Sequence, residues 1–145
     1  MSTDQNKAVI RRFYDEVWGQ GHLEVANEVF ADDYVRHDLR PNPALPGPAG
    51  QMKVAGDFRA AFPDLTMTVE LMLAEDDLVA ARWAMEGTNT GPWSGVAPTG
   101  RHARFFGVNI FRLAGGKVVE IWNHRDDLGL MQQLDAPIYA GASRK

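Results

Sequence analysis

Residues 104–129 read RFFGVNIFRLAGGKVVEIWNHRDDLG, two strand-like runs joined by a Gly-Gly turn, and this stretch decides the fold. Side chains on a strand alternate between its two faces. Phe105, Gly107, Asn109 and Phe111 therefore share one face of the first run, and Val119, Ile121 and Asn123 one face of the second. Each run thus carries one asparagine among apolar neighbours. An unpartnered buried amide costs roughly 1–3 kcal/mol. The two carboxamides must either satisfy each other as a bridge between the strands or line a ligand pocket.

Working outward, the preceding segments complete an α+β pattern. Leu65, Met67, Val69, Leu71 and Leu73 alternate with polar or softer residues, predicting a long half-buried strand, and Asp76-Asp77 turns it into a second strand over 78–86. Before Pro63 the period is helical. Asp4 or Thr3 can cap a helix carrying Val9, Ile10, Phe13 and Val17, which Gly19 and Gly21 end; Leu23, Ala26, Val29 and Phe30 predict a second helix. A short strand-like piece over 34–38 then enters a proline-rich loop, and a third helix is expected over 51–62. Asp126 or Asp127 can cap a short last helix reaching Leu134. Three helices followed by a meander of long strands predict a cone-shaped α+β barrel: N-terminal helices packed on a strongly bent antiparallel sheet, with a pocket at its open end.

Composition sets the bounds. With 145 residues, 45% of them hydrophobic and 23% charged, the chain 1–145 reads as a single domain. Nineteen acidic against fifteen basic side chains leave a net charge of −4, which disfavours nucleic acid and anionic membranes as partners. There is no cysteine, so thiolate nucleophiles, disulfides and Cys-ligated metals are excluded. No apolar stretch suits a signal peptide or a bilayer span, and a cytoplasmic protein is expected.

Four stretches in order, FYDEVWGQG with EVFADDYVRHD, AAFPDLTMTVE, RWAMEGTNTGPWSGVAPTGR and GGKVVEIWNHRDDLGLMQQL, resemble the SnoaL-like polyketide cyclases of the nuclear transport factor 2-like superfamily over nearly the whole chain. The resemblance implies a single-domain enzyme needing no metal or organic cofactor, which binds flat polycyclic aromatic polyketides in the cone and forms a homodimer through its sheet. It also implies an acid/base aspartate at position 123, supported by a histidine at position 109. Both are asparagine here. An asparagine exchanges no proton at working pH, so aldol ring closure has lost its expected groups. The chain is similar instead to the cyclase-like hydroxylases of anthracycline biosynthesis, which implies cofactor-free hydroxylation of a polycyclic substrate, with a separate reductase keeping that substrate electron-rich.

On that reading Asn109 and Asn123 orient a substrate oxygen, Arg82 stabilises an enolate or carboxylate, and His37 is a candidate base at the cone's mouth. Arg82 could equally be paired with Glu70, and His37 with Asp38. The flat ligand would lie against Tyr34, Phe58, Phe62, Phe105 and Phe111, which are also core candidates, with Trp93 in its Gly/Pro-rich loop as a lid. Uncovered sheet surface bearing Trp83 or Arg82 and Trp122 predicts the dimer face. His37, Asp38, His124 and Asp126 contain the residue types of a two-histidine, one-carboxylate iron site, but lack its close spacing, and no metal is expected. Two alternatives stay open: an ester cyclase in which His37 or another group replaces the lost aspartate, and a ligand-binding module without catalysis.

Overall fold

The amphipathic N-terminus forms the helical layer as its periodicity dictates, with one departure. In the computed structural model, which describes residues 1–38, 45–93 and 95–136, helix α1 spans Thr3–Arg12. Its cap is Ser2, one residue before the expected pair: the Ser2 hydroxyl accepts from the Gln5 N–H and the Gln5 side chain accepts from the Ser2 N–H. The helix then widens into a π-helical segment, Phe13–Gly19. This segment buries Phe13, Tyr14, Val17 and Trp18 together. A 3₁₀ turn, Leu23–Val25, leads into the short α2, Ala26–Val29. Helix α3, Pro48–Ala61, starts three residues earlier than expected because Pro48 suits a first turn, where a missing N–H leaves nothing unbonded. The proline-rich loop lies partly outside the described residues.

Five strands follow in space as β1 (Phe30–Asp38), β5 (Lys117–Arg125), β4 (His102–Ala114), β3 (Leu78–Thr88) and β2 (Thr66–Glu75). Pairing is antiparallel except that β1 runs parallel to β5. The expected sheet was wholly antiparallel. Alternation encodes which face a residue takes, not strand direction, and the long path from β1 back to β5 permits a parallel pair. Helix α4, Asp127–Leu134, closes the described chain, its N-cap Asp126 accepting from the Gly129 N–H.

Two bulges correct the sequence-based facing. One between Val69 and Leu71 turns Leu71 and Leu73 outward, 52% and 64% exposed, and brings Met72 and Ala74 against the core. The other, beside Leu113, buries Val118 rather than Val119. A single extra residue reverses every later side chain on a strand. The concave face of the sheet packs on the helices through Phe30, Phe62, Phe105, Phe111 and Ile121. Among the described residues no helix is long and apolar enough to cross a membrane.

Candidate functional site

Strand register brings the two asparagines face to face. Asn109 pairs with Asn123 across β4 and β5, and on its other side β5 sets Asn123 opposite Asp38 of β1. Across β3, Trp83 sits opposite Gly107. A Cβ at Gly107 would strike the indole at Cζ2 and Cε2, so glycine lets the Trp83 ring lie over the strand. The ring's Nε1 thereby reaches Asn109. From the helical layer, the π-helical segment presents Tyr14 to the same atom.

One directed chain of hydrogen bonds results. The Tyr14 hydroxyl (2.6 Å) and Trp83 Nε1 (2.8 Å) both donate to Asn109 Oδ1. Asn109 Nδ2 donates to Asn123 Oδ1 (2.7 Å), and Asn123 Nδ2 to Asp38 Oδ1 (2.6 Å). The direction is forced from both ends, because an indole N–H only donates and an ionised carboxylate only accepts. Burial pushes the Tyr14 phenol well above its ordinary range, so it remains a neutral donor. Asp38 Oδ2 lies 2.6 Å from Arg36 Nε. Although close, that pair is not aligned as a hydrogen bond, and Nε and Nη1 of Arg36 are buried without a hydrogen-bond partner among the described residues.

This chain forms one wall of a pocket holding about 500 Å³ of empty space, part of it open to solvent. Phe13, Tyr14 and Trp18 line it from the helical layer, Trp83, Met85, Asn109 and Asn123 from the sheet, with Gln51 of α3 and Arg36 and Arg125 at its polar edge. Such a site offers neutral donors and acceptors on one side and aromatic surface on the other.

A model of the SnoaL-like polyketide cyclases matches residues 8–134. The chain belongs to this family. Among solved structures, a candidate SnoaL-like cyclase of Jannaschia sp. CCS1 is 29% identical, with 93% of this chain and 94% of that one covered and a TM-score of 0.82. IdmH of Streptomyces antibioticus, a candidate polyketide cyclase, is 32% identical over 91% of this chain and 99% of its own, with a TM-score of 0.76. AclR of Streptomyces galilaeus, a candidate hydroxylase, is 28% identical over 92% and 83%, with a TM-score of 0.81. Among curated proteins none matches significantly.

Within this SnoaL-like scaffold the expected site residues divide sharply. Asn109 and Asn123 line the pocket and bridge each other. Arg82 does not reach the pocket. It ion-pairs with Glu70 on the outer face of the sheet and lies over the Phe106 ring, because Trp83 takes the inward position beside it. His37 is likewise outside: its ring stacks on Trp122, with Nε2 2.8 Å from Glu120 rather than paired with Asp38. Arg36 and Asp38, one residue to either side, face inward as alternation requires.

The aromatic candidates form a second layer rather than the wall. Phe58 packs against Phe62, Trp93 and Phe105 with ring centroids 5.5–6.4 Å apart, filling the core behind Trp18 and Trp83, and Phe111 backs Phe13 and Tyr14. Tyr34 is buried and its hydroxyl accepts from Gln51, which is the residue that faces the pocket. Trp93 is no lid: its backbone is bonded to Val96 in both directions, and its ring is held on Phe58. His37, Asp38, His124 and Asp126 are not assembled as a metal site; among the described residues no three His, Cys, Asp or Glu side chains are grouped to hold an ion.

Proposed function

We propose that this SnoaL-like protein is an enzyme acting on an oxygenated polycyclic aromatic polyketide of the anthracycline type, and that its reaction is hydroxylation by dioxygen rather than aldol ring closure. The single observation that carries this reading is the neutral, directed Asn109–Asn123 pair at the two positions where the family resemblance implies histidine and aspartate. These amides orient a substrate oxygen without exchanging its proton, and the protonated Tyr14 phenol buttresses them. A reduced hydroquinone substrate loses a proton and passes one electron to dioxygen. The superoxide formed combines with the substrate radical, taking up a proton to give a hydroperoxide. Two electrons and two protons from a separate reductase then cleave the hydroperoxide to the alcohol and water. The pocket's part is to hold the ring, exclude water and hydrogen-bond the developing oxyanion.

The test is incorporation of labelled oxygen from dioxygen into a reduced anthraquinone-type substrate by the wild-type protein and by Asn123→Ala. Label appears in the product, and the variant turns over about 10²-fold more slowly, the loss of one oxyanion-stabilising donor. Ring closure of a linear polyketide ester at an equal rate without dioxygen would overturn the reading in favour of a cyclase. Asp38 is the observation behind that second reading, since its carboxylate lies one strand from the family's acid/base position. The homodimer is a proposal of the same standing: the resemblance implies a second copy on the outer face, where Val35, Leu71 and Leu73 are exposed. A sedimentation species of twice 16.1 kDa is expected at micromolar concentration, and a monomer alone would remove it.

A further inference from the structure

Two arginines reach the pocket of a chain that is acidic overall, each beside a carboxylate. The pocket wall carries Arg36 and Arg125 and, among the described residues, no aspartate or glutamate, whereas the chain has a net charge of −4. The two guanidiniums are held differently. Arg125 lies over the Phe58 ring at 4.7 Å and is ion-paired to Asp127. Among the described residues Arg36 meets one carboxylate, Asp38, at Nε, and that contact lacks hydrogen-bond alignment. Its Nη1 is buried and has no acceptor among the described residues, and the side chain is 16% exposed. Asp38 cannot turn to serve it further, because its other oxygen accepts from Asn123. A buried guanidinium with a single misaligned carboxylate contact is under-satisfied, and an incoming oxyanion supplies what it lacks. The fork of an arginine also matches two oxygens at once, as in a carboxylate or a phenolate with a neighbouring carbonyl.

From this arrangement we propose that the pocket selects aromatic substrates bearing an anionic oxygen, an aryl carboxylate or an ionised phenol, which seats on Arg36 beside Asn123. The proposal rests on the reading of this pocket as a site for aromatic small molecules, but not on which reaction follows. Asp38 is then a positioning residue: it fixes Arg36 on one side and the amide chain on the other, and does not itself touch the ligand.

Binding by calorimetry tests this without turnover. The probes are naphthoate against its methyl ester, and a nitronaphthol ionised at neutral pH against neutral naphthol. In the wild-type protein at least one anion binds about tenfold or more tightly than its neutral partner, the scale of a charge-assisted hydrogen bond. Which of the two does so identifies the carboxylate or the phenolate as the natural group. Arg36→Gln removes that preference while leaving the neutral probes within about threefold; Arg36→Lys, which keeps the charge and loses the fork, retains part of it, and guards against a glutamine variant that fails to fold. Equal binding of anion and neutral partner in both pairs, or an equal weakening of both by Arg36→Gln, would overturn the proposal. Failure of the hydroxylase reading leaves these ratios untouched, so the two claims fall separately.

Discussion

The two faces of the β4–β5 hairpin solve the same problem of polar side chains in opposite ways. Inward, Asn109 and Asn123 join Tyr14, Trp83 and Asp38 in a chain where each group has one role as donor or acceptor. Outward, Arg112, Glu120 and His37 on one side and Arg82, Arg104, Glu70 and Glu86 on the other form ion pairs open to water. Exposed pairs of this kind contribute roughly 0–1 kcal/mol, and salt screens them. Inside, a lost partner is less readily replaced by solvent. The inward face is therefore the fragile one.

Asn109→Leu tests that asymmetry most severely. The hydroxyl of Tyr14, the indole N–H of Trp83 and Oδ1 of Asn123 lose their shared partner at once. The expected cost is about 3 kcal/mol or more, read as a fall of about 10 °C in melting temperature together with loss of ligand binding. A fall of only a degree or two would mean that water fills the gap, and would erase the contrast between the faces.

Asn123→Asp sharpens it. The new carboxylate lies against Asp38, where Asn123 now donates, and one of the two must hold a proton. A carboxyl whose folded pKa is raised contributes stability at low pH that is lost as pH rises towards that value. The variant's deficit relative to the wild type should therefore be larger at about pH 8 than at about pH 5, by about 2 kcal/mol in chemical denaturation. A pH-independent deficit would show the two carboxylates moving apart into water. The same contact explains why an amide suits position 123, since the negative charge already stands on the adjacent strand.

On the outer face the effects are small. Arg82→Ala breaks the contact with Glu70 at a side chain 44% exposed and costs less than about 1 kcal/mol, with ligand affinity unchanged. A large loss of affinity would return Arg82 to the site. Smallest of all is the acid response of Glu120, whose carboxyl is held below its ordinary 4.5, first by the hydrogen bond to His37 and then by Arg112. A depressed folded pKa contributes stability that is present above about 4.5 and lost as pH falls through the folded value. His37→Ala should flatten that acid limb by about 1 °C in melting temperature, with no change near neutrality.

How far the sequence could be read follows from what each signal encodes. The inward asparagines, the Gly-Gly hairpin and the Asp126 cap were legible because period and turn chemistry are local. Tyr14 stands four residues after Ile10 and three before Val17, on the face that the helical period turns inward, so its burial was within reach; its bond to Asn109 was not, because nothing local names a partner 95 positions away. Arg36 and Asp38 were within reach: an exposed His37 in a strand obliges its neighbours to face the other way. A tryptophan that comes to lie opposite a glycine, as Trp83 does at Gly107, gave no warning, since nothing in either residue names the strand that will pair with it.

By itself the sequence determined the α+β class, the family and the presence of two carboxamides on the apolar side of one hairpin, all of which follow from short-range periodicity and motif order. Tertiary structure alone decided that Arg82 and His37 lie outside, that the aromatic residues expected to grip a ligand stand one layer behind the pocket, and that the amide chain ends on Asp38 and Arg36. Those outcomes depend on strand register, on two bulges and on the parallel pairing of β1 with β5, which are settled by contacts between residues up to 95 positions apart and leave no trace in any single segment.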